Sequence, residues 1–270
     1  MTANPSKGTA LVTGASAGIG AIYADRLARR GYDLILVARN EARLRAVADK
    51  VGAGTGRRVQ TVTADLGNKD DLLRVETILR DDQSITLLVN NAGVASVRPL
   101  LGENVDKMEE MIFLNITALT RLAYAVAPGF VARGNGTIIN ISSIVSISVE
   151  TLNGVYGASK AYVLALSQSL QHELSGKGVR VQAVLPGATA TEIWENAGVA
   201  LSSLPKEIVM STDEMVDAAL VGLDLGETVT IPGLQDESQW TTYESLRQTL
   251  RGQLGSNHAA PRYRAASAAA

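Results

Sequence analysis

The sequence predicts an α/β fold, a doubly wound sheet of about seven mostly parallel strands with helices on both faces. Short apolar runs alternate with longer helical patterns from end to end. That order builds a parallel sheet through helical crossovers. The first run, Thr9 to Val12, enters a glycine-rich turn and then a helix, and the fourth opens into small polar residues at its C-terminal end. Both features suit an open sheet that carries its ligand at the strand ends.

The composition agrees. With 46% hydrophobic and 19% charged residues over 270 positions, the chain can fill one large core. A formal net charge of −2 argues against nucleic acid or an anionic membrane as partner. The absence of cysteine excludes disulfides and thiolate metal sites. His172 and His258 are the only histidines, so no metal is expected. The N-terminus, MTANPSKGTA, lacks an apolar signal core, and no apolar run approaches the roughly 20 residues of a membrane span. The expectation is a cytoplasmic protein. No repeat or linker divides the chain, so 1–255 reads as a single domain and 256–270 as a flexible tail.

After the first strand comes Thr13-Gly14-Ala15-Ser16-Ala17-Gly18-Ile19-Gly20, then a helix from Ala21 to Arg30. Glycines let a backbone approach a pyrophosphate, whose charge meets the helix N-terminus. The second strand, Tyr32 to Ala38, is followed by Arg39 and Asn40. A carboxylate at this strand end would hold a ribose 2′-hydroxyl; here the next side chain is a guanidinium, which suits a 2′-phosphate or is an exposed loop cation. Asp33 sits at the wrong end of the strand. NADP(H) is therefore preferred over NAD(H), which remains possible.

Glu41 to Val51 reads as a helix, GAGTG as a loop, and Arg58 to Ala64 as a third strand ending at Asp65-Leu66. A helix over Asn68 to Asp82 precedes the fourth strand, Ile85 to Val89, which opens into Asn90-Asn91-Ala92-Gly93. The helix from about Asp106 to Ala132 carries Asn115 in an apolar stretch. Its amide must be satisfied, either structurally or by holding a water or backbone group beside an active site. GTIINISS is a buried strand ending at Ser143.

Tyr156 and Lys160 lie four residues apart at the head of a helical run, on one face and about one turn apart. An ammonium beside the phenol favours phenolate and lowers the tyrosine pKa from about 10. Ser143 could hydrogen-bond the substrate oxygen that Tyr156 protonates. Val179 to Leu185 is a sixth strand, left by Pro186-Gly187-Ala188-Thr189-Ala190-Thr191. Glu192 to Ser211 lacks a period and reads as a lid or binding segment. A helix from Ser211 to Leu225, a short strand from Thr228 to Ile231 and a terminal helix from Gln239 to Leu250 complete the chain.

From Ala10 to Ile231 the chain resembles the short-chain dehydrogenase/reductase family. TGASAGIG, ADL at 64–66, NNAG at 90–93, Asn115, Ser143, YGASK at 156–160 and PGATAT at 186–191 carry the resemblance, in the family's order and spacing. It implies a Rossmann-type fold and an NAD(P)-dependent oxidoreductase with Asn115, Ser143, Tyr156 and Lys160 as active site. It implies cofactor contacts along the loop at Gly14, Ser16, Ala17, Gly18, Ile19 and Gly20. Further contacts are implied for adenine at Asp65 and Leu66, and for the nicotinamide ribose at Asn91 and Ala92 beside Gly93. Pro186, Gly187, Thr189 and Thr191 would meet the nicotinamide. Many NADP-using members carry a basic residue where this chain has Ala17, which leaves a 2′-phosphate to Arg39, aided by Ser16 or Asn40. Pro232-Gly233 replaces the usual glycine pair after the last strand, which bears on the family's tetramer contact.

In the reductive direction the resemblance implies that Tyr156 gives a proton to a carbonyl oxygen held by Ser143. Lys160 would tune Tyr156 and bind the ribose, and Asn115 would support a water relay. Val145, Leu152, Ile193 and Trp194 are expected to wall a pocket with little fixed charge, suited to an apolar carbonyl or alcohol. The alternative is a non-catalytic NADP(H)-binding regulator on the same fold. An isomerase or dehydratase would need a larger substrate domain. Ala158, Tyr162, Ala165, Ser169 and His172 form a stripe of mostly small residues on the Tyr156 helix. With the family's habits it suggests a homodimer or homotetramer.

Overall fold

The computed structural model describes residues 6–263. Seven strands form one sheet: β1 (Thr9–Thr13), β2 (Asp33–Ala38), β3 (Val59–Thr63), β4 (Ile85–Asn90), β5 (Gly136–Ile141), β6 (Val179–Val184) and β7 (Val229–Thr230). Their order is β3-β2-β1-β4-β5-β6-β7, and every ladder is parallel. The direction in which successive strands are added reverses between β1 and β4, so a crevice opens at their C-terminal ends.

Alternation within each strand sorts the core into two layers. Ala10, Val12, Leu34, Leu36, Leu87, Val89, Ile139 and Ile141 face one cluster. Leu11, Ile35, Val37, Ile85, Leu88 and Ile138 face the other. Helices α1 (Gly18–Arg29), α2 (Glu41–Thr55) and α8 (Thr212–Leu225) cover the first. The second lies under α3 (Lys69–Asp81), α5 (Leu119–Arg133) and α6 (Gly154–Leu174). Strands covered on both faces read as unbroken apolar runs, which is why ALV, LILV and LLV were legible. Edge strand β3 is mostly exposed or half-buried.

Three expectations are corrected. GAGTG is not a loop: α2 runs through it to Thr55 and closes at Gly56, whose φ of 68° is left-handed, a helix stop that glycine supplies. The long helix is not uniform. It comprises α4 (Val105–Ile112), a π-helical stretch (Phe113–Ala118) and α5. As one piece, Val105–Arg133 is long and apolar enough by length and composition to cross a membrane, although Asn115 and Arg121 interrupt its apolar run. Here it packs on α3, α6 and the sheet.

Among the described residues two compact units separate, one ending at Gly233 and one beginning at Leu234. The sheet-bearing unit thus ends short of the expected 255. The second unit holds α9 (Glu237–Arg251), on which Trp240 and Tyr243 stack with centroids 5.3 Å apart, and none of α9's side chains is buried. Of the expected tail, 256–263 includes a short 3-10 turn at Pro261–Tyr263, and 264–270 lies outside the described residues. The irregular 192–211 segment holds α7 (Ile193–Asn196) and two 3-10 turns. It is pinned at its end where Met210 pairs with Thr189.

Candidate active site

β1 delivers the chain into the glycine turn at the crevice. Gly14 has φ +66°, and a Cβ on Gly20 would stand 2.3 Å from the Gly14 carbonyl oxygen, so helix and turn approach too closely for any side chain. Asn40, Asn68, Asn104, Asn153, Ser211 and Asp236 cap the N-termini of α2, α3, α4, α6, α8 and α9 with their side chains. At α1 the cap position is Ala17 and no side chain caps the turn. Its free N–H groups form a ready anion site. That uncapped turn, crowded free of Cβ atoms, fits a pyrophosphate.

A cleft of about 420 Å³ follows from this turn, lined by Gly14, Ser16, Ala17, Gly18 and Ile19, and by Arg39, Asn40, Asp65 and Leu66. Asn91, Ala92, Gly93, Thr191 and Ile193 line it too. Arg39 is exposed. Asn40 turns its Oδ1 to the Arg43 N–H at 3.0 Å as the α2 cap, which leaves its Nδ2 for a ligand. Asp33 accepts from the Arg58 N–H at 3.1 Å at the far end of β2. Asp65 accepts from the Gly67 N–H at 2.9 Å. Asn91 borders the cleft, but its Nδ2 donates to the Thr13 and Gly14 carbonyls at 2.9 and 3.2 Å. It props the glycine turn.

Four polar side chains meet at the end of β5 and the start of α6. Asn115, Ser143, Tyr156 and Lys160 are all buried. The Asn115 amide is satisfied and holds a backbone group beside the site: Nδ2 donates to the Val94 carbonyl at 2.9 Å and to Ser159 Oγ at 3.2 Å, and Oδ1 accepts from the Val94 N–H at 2.9 Å. The π turn sets its direction, and such turns often mark functional sites. A Cβ on Gly93 would lie 3.0 Å from Asn115 Oδ1 and 3.7 Å from Lys160 Nζ. Lys160 Nζ donates to the Ile141 carbonyl at 3.0 Å. Ser143 Oγ donates to the Pro186 carbonyl at a loose 3.4 Å.

The expected depression of the Tyr156 pKa is overturned. Burial pushes the phenol up to about 12, against a smaller opposing effect of its hydrogen bond with Ser143. Lys160 Nζ lies 5.8 Å from the Tyr156 ring centroid and is itself lowered to about 8 by burial. Desolvation therefore outweighs the ammonium. At neutral pH Tyr156 carries its proton, the form an acid needs.

Around Tyr156, Val145, Met108 and Met111 form a buried cluster, with Leu152, Val94 and Ala95 packed on it. A hollow of about 780 Å³ opens beside it, lined by Val94, Met108 and Met111. None of Val145, Leu152, Ile193, Trp194 or the four candidate catalytic residues lines it. Arg98, Glu103, Lys107 and Glu195 line it, because the first turns of α4 and the end of α7 border the opening. Val145 and Leu152 stand at Tyr156, whereas Ile193 lines the nucleotide cleft. Trp194 donates its indole N–H to the Thr189 carbonyl at 3.0 Å. Thr189 is buried and turns its hydroxyl to the Gly187 carbonyl at 3.2 Å, while Thr191 reaches the cleft.

The family model for short chain dehydrogenases matches residues 8–200. The chain belongs to that family. It is similar to a Sphingobium yanoikuyae short-chain dehydrogenase solved with NADPH: 50% identity, TM-score 0.92, 95% of this chain and 100% of the other covered. A bulky-bulky ketone specific alcohol dehydrogenase from Comamonas testosteroni is 44% identical at TM-score 0.88, with 96% and 99% covered. A Danio rerio 17-beta-hydroxysteroid dehydrogenase type 3 is 30% identical over 250 residues, 91% of this chain and 75% of the relative.

As a short-chain dehydrogenase the protein is an NAD(P)-dependent oxidoreductase. Several residues that shape its site escape sequence reasoning. Ser159 bridges Asn115 to the Tyr156 carbonyl, which it meets at 2.8 Å; its place inside YGASK was the available signal. Thr13 Oγ1 accepts from the Asn91 and Ala92 N–H groups at 2.9 and 3.0 Å. Arg43 and Glu192 join across the cleft, and a sequence separation of 149 gave no hint of it.

Proposed function

We propose that the protein reduces ketones to alcohols with NADPH, and runs the reverse reaction with NADP+. The observation that carries this reading is the convergence of buried Ser143, Tyr156 and Lys160, with the Lys160 Nζ 5.8 Å from the Tyr156 ring centroid. When bound, the cofactor supplies hydride. Tyr156 donates its phenolic proton to the substrate oxygen, and Ser143 donates a hydrogen bond to the same atom; its present contact to Pro186 is loose enough to exchange. The Lys160 ammonium offsets the charge left on the phenolate. Asn115 holds Val94 at the cleft wall, and the route for proton resupply passes its side chain.

Gly14, Gly18 and Gly20 would cradle the pyrophosphate, with Asp65 and Leu66 at the adenine. Lys160 would reach the nicotinamide ribose. Arg39 supports NADP(H), because an exposed guanidinium at the end of β2 matches a phosphate and no carboxylate stands there. The relative solved with NADPH supports the same choice. The apolar cluster of Val145, Leu152, Met108 and Met111 around Tyr156, together with the likeness to a bulky-bulky ketone enzyme, supports ketones bearing two large groups. NADPH absorbance with a ketone panel tests the substrate class: diaryl or long dialkyl ketones should turn over faster than acetone. Fluorescence titration tests the cofactor. NADPH should bind about ten- to a hundred-fold tighter than NADH, the ratio that charge-assisted contacts of about 1.4–3 kcal/mol give. Equal affinities would reduce Arg39 to a loop residue.

A further inference from the structure

Arg43 and Glu192 face each other fork to fork. Nη1 donates to Oε2 at 2.7 Å and Nη2 to Oε1 at 2.8 Å. Arg43 stands in the first turn of α2, three residues after its cap Asn40. Glu192 immediately precedes α7, at the start of the irregular segment that carries Ile193 and Trp194. Both side chains line the nucleotide cleft together with Arg39 and Asn40. The pair therefore bridges from the Arg39 end of the cleft to the segment over its other wall. Both partners are about half exposed, 52% and 55%, so water and ions can compete for them. The Arg43 charge holds the Glu192 carboxyl below its ordinary range, and the bridge stays ionised through neutral pH.

Ala17, at the cap of α1, has no charge to offer a 2′-phosphate. Resting on the NADP(H) preference proposed above, we propose that Arg43 is the second phosphate-binding cation and exchanges Glu192 for the 2′-phosphate when the cofactor binds. The exchange frees the segment beginning at Glu192 from α2. A guanidinium fork accepts either anion in two parallel hydrogen bonds, and a phosphate carries more charge than a carboxylate. NAD(H) brings no phosphate and leaves the bridge closed. Glu192 is then a competitor for Arg43, and the lid segment senses which cofactor has bound.

Calorimetric titration of NADP+ and NAD+ against the intact protein, with no ketone or alcohol present, tests this. Arg43→Gln should weaken NADP+ about five- to tenfold, since one charge-assisted contact is lost and a solvent-exposed bridge is no longer broken to make it. NAD+ should change less than about twofold, within the effect of an exposed pair. Glu192→Gln should tighten NADP+ and leave NAD+ within the same bound. Trp194, two positions from Glu192, gives a separate readout in a Trp240→Phe background. NADP+ should shift its emission and NAD+ should not, and in Glu192→Gln that contrast should vanish. If Glu192→Gln weakens NADP+, or either substitution moves both cofactors equally, the pair is a fixed clamp and the exchange is refuted. Arg39→Gln separates the two proposals. Wild type preferring NADP+ and losing that preference in Arg39→Gln, while Arg43→Gln binds normally, sinks the exchange alone. Equal binding of both cofactors by wild type sinks the cofactor assignment as well.

Discussion

Tyr156 and Lys160 hold their chemistry by burial more than by mutual attraction. A phenol pushed up to about 12 stays protonated at neutral pH, as the proposed proton donor must. Tyr156→Phe should lower turnover at least 100-fold, roughly the lower bound of what general acid catalysis contributes. Cofactor affinity should hold, and single-turnover kinetics with a separate binding titration would separate the two. Lys160 makes a pH-dependent contribution of known sign. Its pKa falls from 10.5 to about 8 on folding, so between these values the unfolded chain keeps a proton that the folded chain has released. Stability contributed by this group therefore rises with pH across that window. From pH 7.5 to 9.5 the gain should be roughly 2 kcal/mol, read from denaturant midpoints without cofactor. Lys160→Met should flatten the slope, and an unchanged slope would assign it to other groups.

The elements around the site depend on their ends. Asn153 caps α6 by accepting from the Val155 and Tyr156 N–H groups at 2.9 and 3.3 Å, and its Nδ2 donates to the Arg98 carbonyl at 2.6 Å. The cap thus sets the first turn of the helix that carries Tyr156 and ties it to the loop after β4. Asn153→Ala should cost about 1–3 kcal/mol, the loss of a cap plus the bond to the Arg98 carbonyl. Urea titration measures it, and turnover should fall alongside because Tyr156 stands in the loosened turn. The π turn around Asn115 left no trace in the apolar period of its helix. A single widened turn shifts register by less than such a pattern resolves, yet it decides where the amide points.

At the scale of the whole molecule, Ala158, Tyr162, Ala165, Ser169 and His172 are all exposed along α6. Tyr162 shares a hydrogen bond of 3.0 Å with Thr120, and Tyr124 stands out from the same side, 64% exposed. We expect this small-residue face to pair with that of a second copy. Sedimentation equilibrium at micromolar concentration should give at least a dimer. Ala165→Arg, which puts a long cation on the face, should shift the population toward monomer, and a monomeric wild type would end the idea.

The sheet and the cofactor cleft were legible because each is local or periodic. A buried parallel strand must be apolar, a turn against pyrophosphate needs glycine where the backbone crowds, and one turn of helix sets Tyr156 beside Lys160. Motif spacing therefore determined the fold class and singled out the four candidate residues and Arg39. Tertiary structure alone decided the quantities that depend on what surrounds a group in space. Burial reversed the direction expected for Tyr156, Val94 and Ser159 claimed the Asn115 amide, and the folded cleft brought Arg43 to Glu192. Desolvation and long-range pairing are properties of the packed interior, and a one-dimensional pattern does not record them.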